Sequence, residues 1–464
     1  MKPDNDATRE MYCAQRAKFA QHLRTSNTAA LIPTNTPKTR NADCEYPFRP
    51  HSDFWYLTGF AEPEALLLML QLDGEDRSVL FLRELDRERE IWTGRRLGVE
   101  AAPAALGVDE AYPITAAWHV LPDLLAGYER IVTRIGNDPD FDRSFAELLE
   151  ALRNGARSGQ AAPVEIVDPA QQLHEQRLVK SEAEIDNMRR ALEISTGAHN
   201  AAMAATQPGM GENEVEAILQ YHFHASGSTG PAYTSIVAGG DNACILHYIE
   251  NDQPLLDGEL LLIDAGAEWE YYASDITRTF PIGGRFTPDQ RALYEVVLAA
   301  QMAAIDQVQP GSSLQAVHLR AIEHMVDGML RLGLMSGTRD GILADGSYRR
   351  FCVHKTSHWL GLDVHDCGAY ALDGEPRALQ PGMVLTVEPG LYVAADDETV
   401  DARWRGIGIR IEDDVLVTKG GHEVLSAGIP KSVADVEAAC GSMGPTPPKV
   451  HAATQLRGPA KLSK

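Results

Sequence analysis

Apolar positions in the first ~175 residues follow two rhythms. Helical spacing predicts a helix over roughly Met11 to Leu23, and the short apolar runs TAALIP, EALLLML and SVLFL carry strand patterns. RNGARSGQAAP, residues 153–163, reads as a loop. At RLVKSEAEIDNMRRALEIS the pattern restarts. Ser181 with Glu184 three residues later forms a capping box, and Ile185, Met188 and Leu192 follow at helical spacing, which predicts a new helix from about Ser181. QPGMGENE, residues 207–214, ends it before a second helical pattern. From about residue 235 the strand-like stretches TSIVAGG, LLLIDAG, VLTVEPGLYV and GIGIRIEDDVLVT alternate with helical ones, including one over Pro288 to Val308. This mixture predicts an α+β domain. The tail from Gly441 holds Pro, Gly and basic residues without an apolar face, and is expected to be disordered.

Length and composition narrow the classes. At 464 residues two domains are expected, and 44% hydrophobic with 23% charged residues is an ordinary soluble composition. No early apolar run approaches the ~20 residues of a membrane span, and MKPDNDATREMY lacks the basic start of a signal peptide, so a cytoplasmic protein without membrane attachment is expected. Six scattered cysteines without a CxxC pair fit reduced thiols. A formal charge of −24 would repel a phosphate backbone, which argues against nucleic-acid binding.

The chemistry concentrates in a few acids. LLLIDAGAEWEYYASDITRTF, read as a hairpin centred between Trp269 and Glu270, places Asp264 and Asp275 directly opposite one another, Cβ atoms ~5 Å apart. Two such carboxylates repel unless one is protonated or a cation lies between them. DGELLLIDAG and PGMVLTVEPG share the spacing Gly, acid, Gly, as if one unit had been used twice, with Asp264 and Glu388 at equivalent strand ends. In GIGIRIEDD, period-two alternation puts Ile407, Ile409 and Ile411 on one face and Arg410 with Glu412 on the other. HKTSHWLGLDVHD adds His354, His358 and His365. A lone histidine is usually structural, but four acids in apolar strands beside an imidazole form an oxygen-rich donor set. Such a set suits Mn²⁺ or a similar ion, and its size suits a two-metal hydrolytic centre with ions ~3.5 Å apart.

SHWLGLDVHD, SDITRTFP, VLTVEPGLY and GIGIRIEDD, with GGDNACILHY upstream and RNADCEYPFRPHSDFWYLTGFAEPEA in the first half, resemble the aminopeptidase P family, the Xaa-Pro aminopeptidases of the pita-bread superfamily, peptidase family M24. The resemblance implies an α/β creatinase-like N-terminal domain over 1–176, a pita-bread catalytic domain over 177–440 and the tail over 441–464. It implies two divalent ions, with Asp275 and Glu412 bridging them, His358 and Glu388 completing one and Asp264 the other. Glu388 would also shuttle the proton, His365 and His247 would face the scissile carbonyl, and His354 would wall the proline pocket. Arg410 would orient Glu412 or serve as a charge partner. The implied activity is hydrolysis of the N-terminal Xaa-Pro bond of proline-containing peptides by a homo-oligomer, a tetramer or dimer. Prolidase, which cleaves Xaa-Pro dipeptides, shares the ligands and is the nearest alternative. A non-enzymatic peptide-binding relative would have lost some of them. CGAYALDGEPRALQPG departs from the family pattern, so no substrate-binding arginine, Arg377 included, is assigned there.

Overall fold

The computed structural model describes residues 6–24, 27–155, 159 and 161–441. The predicted disordered tail, beyond Gly441, lies outside the described residues. The chain divides into two compact units, Met1–Arg177 and Leu178–Lys464.

The first unit is a six-stranded mixed sheet, ordered Glu110–Pro113, Glu75–Leu82, Leu66–Leu72, Thr28–Pro33, Arg130–Val132 and Glu165–Val167. Thr28–Pro33 runs antiparallel to Leu66–Leu72 and parallel to Arg130–Val132. Alternation along the strands sorts their side chains to two faces. Leu31, Leu68 and Phe81 pack with Leu121, Phe145 and Leu148 of the helices Ala117–Leu124 and Pro139–Gly155. This is the expected α/β unit, and the apolar runs read from sequence are its three long strands. The short strands are too brief to show a period.

The second unit begins as predicted. Ser181 donates from its N–H and its hydroxyl to Glu184, at 2.9 and 2.8 Å, and the helix Glu182–Ala205 follows. A second helix, Glu212–Ala225, packs beside it. Two antiparallel sheets carry the rest: Thr277–Pro281, Leu260–Asp264 and Ile236–Gly239 in one, and Val384–Val387, Asp413–Thr418 and Gly421–Val424 in the other. The helices Pro288–Asp306 and Leu314–Leu332 contribute Leu293, Val297 and Met325 to a core with the first sheet, and Ala304, Ile305, Val317 and Ala321 to a core with the second. The α+β expectation holds.

The repeated Gly-acid-Gly spacing is structural. Gly258 and Gly382 sit at φ +83° and +92°, a conformation that costs a Cβ-bearing residue, and each turns the chain into a strand two residues on. One strand ends at Asp264, the other one residue before Glu388.

Two expectations are corrected. The hairpin turn lies at Glu270–Tyr271, with φ of 49° and 62°, and not between Trp269 and Glu270. Positive φ at both central residues is the twist a two-residue turn needs, here reached without glycine. The ladder therefore pairs Asp264 with Thr277, so Asp264 and Asp275 are diagonal neighbours. Secondly, GIGIRIEDDVLVT is two strands, as VLTVEPGLYV is on either side of the strand end expected at Glu388. Val384–Val387 pairs with Asp413–Thr418, whereas Gly390–Val393 pairs with Ile407–Arg410 in a separate ribbon. Pro389 has no N–H for a ladder, which favours the break. Glu388 and Glu412 sit at the two breaks, their N–H groups donating to Thr356 O at 2.8 Å and Thr277 O at 3.1 Å.

Candidate metal centre

All nine residues singled out from sequence line one cleft of about 410 Å³: Asp264, Asp275, His358, Glu388 and Glu412, with His247, His354, His365 and Arg410. Strand ends and strand breaks place the acids; the irregular segment from His354 to Asp366 places three histidines.

Asp275 is central. Its Oδ2 lies 3.3 Å from His358 Nε2, and the Tyr233 hydroxyl sits 2.6 Å from Oδ1 of both Asp264 and Asp275. One ligand atom from each of Asp275, His358 and Glu412 falls within 4.8 Å of the others. Glu388 Oε1 lies 3.6 Å from His358 Nε2, and His354 Nδ1 is 3.6 Å from Glu388 Oε2. His354 also hydrogen-bonds the Tyr392 hydroxyl at 2.8 Å, and the His358 and His365 rings meet edge to face at 4.4 Å.

Arg410 takes the second of its two expected roles, that of a charge partner, and its partner is Asp264. Its guanidinium bonds Asp264 at 2.7 Å, Thr277 Oγ1 at 3.1 Å and Tyr392 at 3.0 Å, while Thr277 donates to Glu412 at 2.6 Å. Alternation does put Arg410 on the Glu412 face. The long side chain, however, reaches across to the facing strand, so its direct charge partner is Asp264 and it touches Glu412 only through Thr277.

The electrostatics call for cations. Burial, then the charges of Asp275 and Glu388, holds Glu412 well above the usual carboxylate range. Burial, with Asp275 nearby, pushes Glu388 up to about 7, although His358 opposes it. Burial also raises Asp264 against the pull of Arg410. Asp275 goes the other way: burial opposes its charge, but the hydrogen bond and charge of His358 win. The same pair lifts His358 to about 9 against its own burial. Among the described residues Arg410 and a charged His358 are the cations that face these four acids, and they leave Asp264, Glu388 and Glu412 still raised, so protons must supply the remaining counter-charge. Divalent cations resolve the same conflict by displacing them. The donor set fits: carboxylate oxygens throughout, and a His358 whose Nδ1 lies 3.0 Å from the Trp359 carbonyl, which leaves Nε2 facing Asp275 as a candidate ligand atom.

Tyr233, Thr277 and Tyr392 escaped the sequence reading. Thr277 had a signal, since it shares the Asp275 face by alternation; Tyr233 and Tyr392 had none. Behind the candidate ligands lies a buried layer. Asp414 accepts from the Asp275 N–H at 3.0 Å, and Asp413 is held by Arg278 and Gln301, each at 2.7 Å, and by Lys431 at 2.5 Å. Arg278 also donates to the carbonyls of Thr277 and Glu412, which ties the two walls together.

Known proteins resemble this chain over most of its length. Residues 186–419 match the model of metallopeptidase family M24, and 12–133 that of the aminopeptidase P N-terminal domain. The Xaa-Pro aminopeptidase of Escherichia coli K12 is 44% identical over 435 residues, covering 94% of this chain and 98% of its own. The solved structure of Pseudomonas aeruginosa aminopeptidase PepP superposes with a TM-score of 0.91 at 47% identity, covering 94% of this chain and 98% of that one. Zinc-substituted Escherichia coli aminopeptidase P in complex with product gives 0.90 at 44%, covering 93% and 98%. The pita-bread catalytic fold and its α/β N-terminal domain follow, and the chain belongs to metallopeptidase family M24, in its aminopeptidase P branch, as an enzyme that works with divalent metal ions.

Proposed function

We propose that the chain hydrolyses the N-terminal Xaa-Pro bond of peptides, releasing the first residue, at a centre of two divalent ions, most suitably Mn²⁺. The observation that carries this reading is the convergence of all nine residues in one cleft. Asp275 and Glu412 are assigned to both ions, His358 and Glu388 to one, and Asp264 to the other. When bound, such ions polarise the scissile carbonyl and make water a nucleophile near neutral pH.

The protein's own residues complete the chemistry. The free amine of the substrate settles beside the Asp264 carboxylate, which fixes the register of the cut at one residue. Glu388 takes a proton from the attacking water and returns it to the departing proline nitrogen, a secondary amine that leaves poorly without one. His365 and His247 face the carbonyl oxygen as it gains charge. His354, held against Tyr392, walls the proline ring. Arg410 keeps Asp264 oriented between substrate and ion.

The same reading assigns 1–176 to the N-terminal domain and 177–440 to catalysis. It also gives a cytoplasmic homo-oligomer, a tetramer or dimer. No helix among the described residues is long and apolar enough to cross a membrane, and Cys13, Cys44, Cys244, Cys352 and Cys440 form no disulfide.

A peptide-length series with added Mn²⁺ tests the specificity. Release of the first residue from Arg-Pro-Pro-type peptides is expected. Activity confined to Xaa-Pro dipeptides would make the chain a prolidase, and none after metal addition would make it a binding protein.

A further inference from the structure

His247 enters the cleft on a segment with little regular structure. Only a short 3₁₀ turn over Gly240–Cys244 follows the strand Ile236–Gly239, and the chain from Ile245 to Gln253 belongs to neither helix nor ladder. The His247 ring is exposed and has no hydrogen-bond partner among the described residues, so its position is inherited from its backbone. A group meant to meet a developing oxyanion must be held to within about 0.5 Å.

What holds this segment is one buried carboxyl. Glu212, fully buried at the start of its helix, accepts four hydrogen bonds, all from the segment. The Gly239 N–H at 2.8 Å and the Asn242 amide at 3.0 Å meet Oε1; the Tyr248 hydroxyl at 2.7 Å and the Gln253 N–H at 2.9 Å meet Oε2. The donors span both ends and the middle of the stretch, and Tyr248, itself buried, is the chain neighbour of His247. Packing does not ask for an acid there, because Val215, Leu219 and Phe223 already bury the apolar face of this helix. A buried carboxyl is costly unless its hydrogen bonds are met. The far side of the segment is fixed too: Gly408 lies so close to Ala243 O that a Cβ there would sit 2.4 Å away, and the Cys244 thiol donates to Val393 O at 3.4 Å. Glu212 and Gly408 thus clamp the segment from opposite sides.

We propose that Glu212 is a positioning residue for the reaction, setting the place of His247 through Tyr248, Asn242 and two backbone N–H groups. The inference rests on the assignment of His247 to the scissile carbonyl. Glu212→Gln keeps the size of the side chain but offers one acceptor oxygen, and its amide NH₂ faces two donors. Tyr248→Phe removes a single donor.

The test is a double-mutant cycle on the full, Mn²⁺-loaded chain, with kcat and KM measured on an Arg-Pro-Pro peptide. Glu212→Gln is expected to lower kcat/KM about tenfold, chiefly in kcat, and Tyr248→Phe about threefold. In a His247→Ala background, either change should alter kcat/KM less than about twofold, since the group they position is gone. Equal factors in both backgrounds, or unchanged kcat/KM in both single variants, would overturn the proposal. Should Glu212→Gln fail to fold, the Tyr248→Phe cycle decides the question alone. Wild-type kcat/KM in His247→Ala would instead remove the assignment of His247, and the inference with it.

Discussion

Asp275→Asn is expected to lower kcat/KM by about 10³-fold while the far-ultraviolet circular dichroism stays that of the wild type. The reasoning is electrostatic. Asp275 is the one acid of the cleft held below the usual carboxylate range, and it contacts both His358 and Tyr233. In the proposed centre it is shared by both ions. Asparagine keeps the shape, removes the charge and turns an NH₂ towards groups arranged around an acceptor. Metal ions contribute several kcal/mol to charge stabilisation in the transition state, and each 1.36 kcal/mol is tenfold in rate. The fold should survive because the bond from the Asp275 N–H to Asp414 does not use the side chain. Activity within tenfold of the wild type would remove Asp275 from the centre.

Gly266→Ala is expected to cost about 10²-fold or more in kcat/KM and to lower the thermal midpoint measurably. Gly266 lies two residues after Asp264, where the chain packs against its return. A Cβ there would meet Ser274 O at 1.7 Å and Ser274 C at 2.6 Å, so backbone, not a flexible side chain, must move. That backbone is pinned. The Ser274 hydroxyl lies 2.8 Å from both the Ala267 carbonyl and the Ser195 hydroxyl of the helix Glu182–Ala205, and Ser195 accepts from the Ala267 N–H at 2.8 Å. Overpacking of a tight site costs about 1–3 kcal/mol. The displaced carbonyl directly precedes Asp275, and a shift of about 1 Å in a reacting constellation is enough for a 10²-fold loss. Kinetics and a thermal melt of the variant check this. Wild-type values of both would show that the hairpin has room that its geometry denies.

The site was more legible in the sequence than the architecture that builds it. Ser181 with Glu184 marked the start of the second unit because a cap is a local device, written in adjacent residues. The candidate ligand acids stood out because a carboxylate in an apolar strand is chemically conspicuous. The hairpin register was missed by two residues, since Glu270 and Tyr271 adopt positive φ without the Asn-Gly or Asp-Gly that usually announces it. The break at Glu388 was legible, since Pro389 and Gly390 follow it, but the one at Glu412 was hidden because strand propensity runs through it. Only tertiary pairing, with each half choosing a different partner, separates the ladders there. Tyr233 could not be found from sequence: its role depends on two aspartates more than thirty residues away, joined by an unremarkable PAYTS. Likewise, Arg410 and Glu412 share a face as alternation predicts, but which acid the guanidinium reaches was decided by the facing strand.

The central claim is that this cleft holds two divalent ions, with Asp275 shared between them. Metal content measured by mass spectrometry, after stripping the protein with a chelator, reloading with Mn²⁺ and desalting, tests it most directly. Two ions per chain in the wild type and no more than one in Asp275→Asn are predicted. A single ion in the wild type, or two retained in the variant, would contradict it.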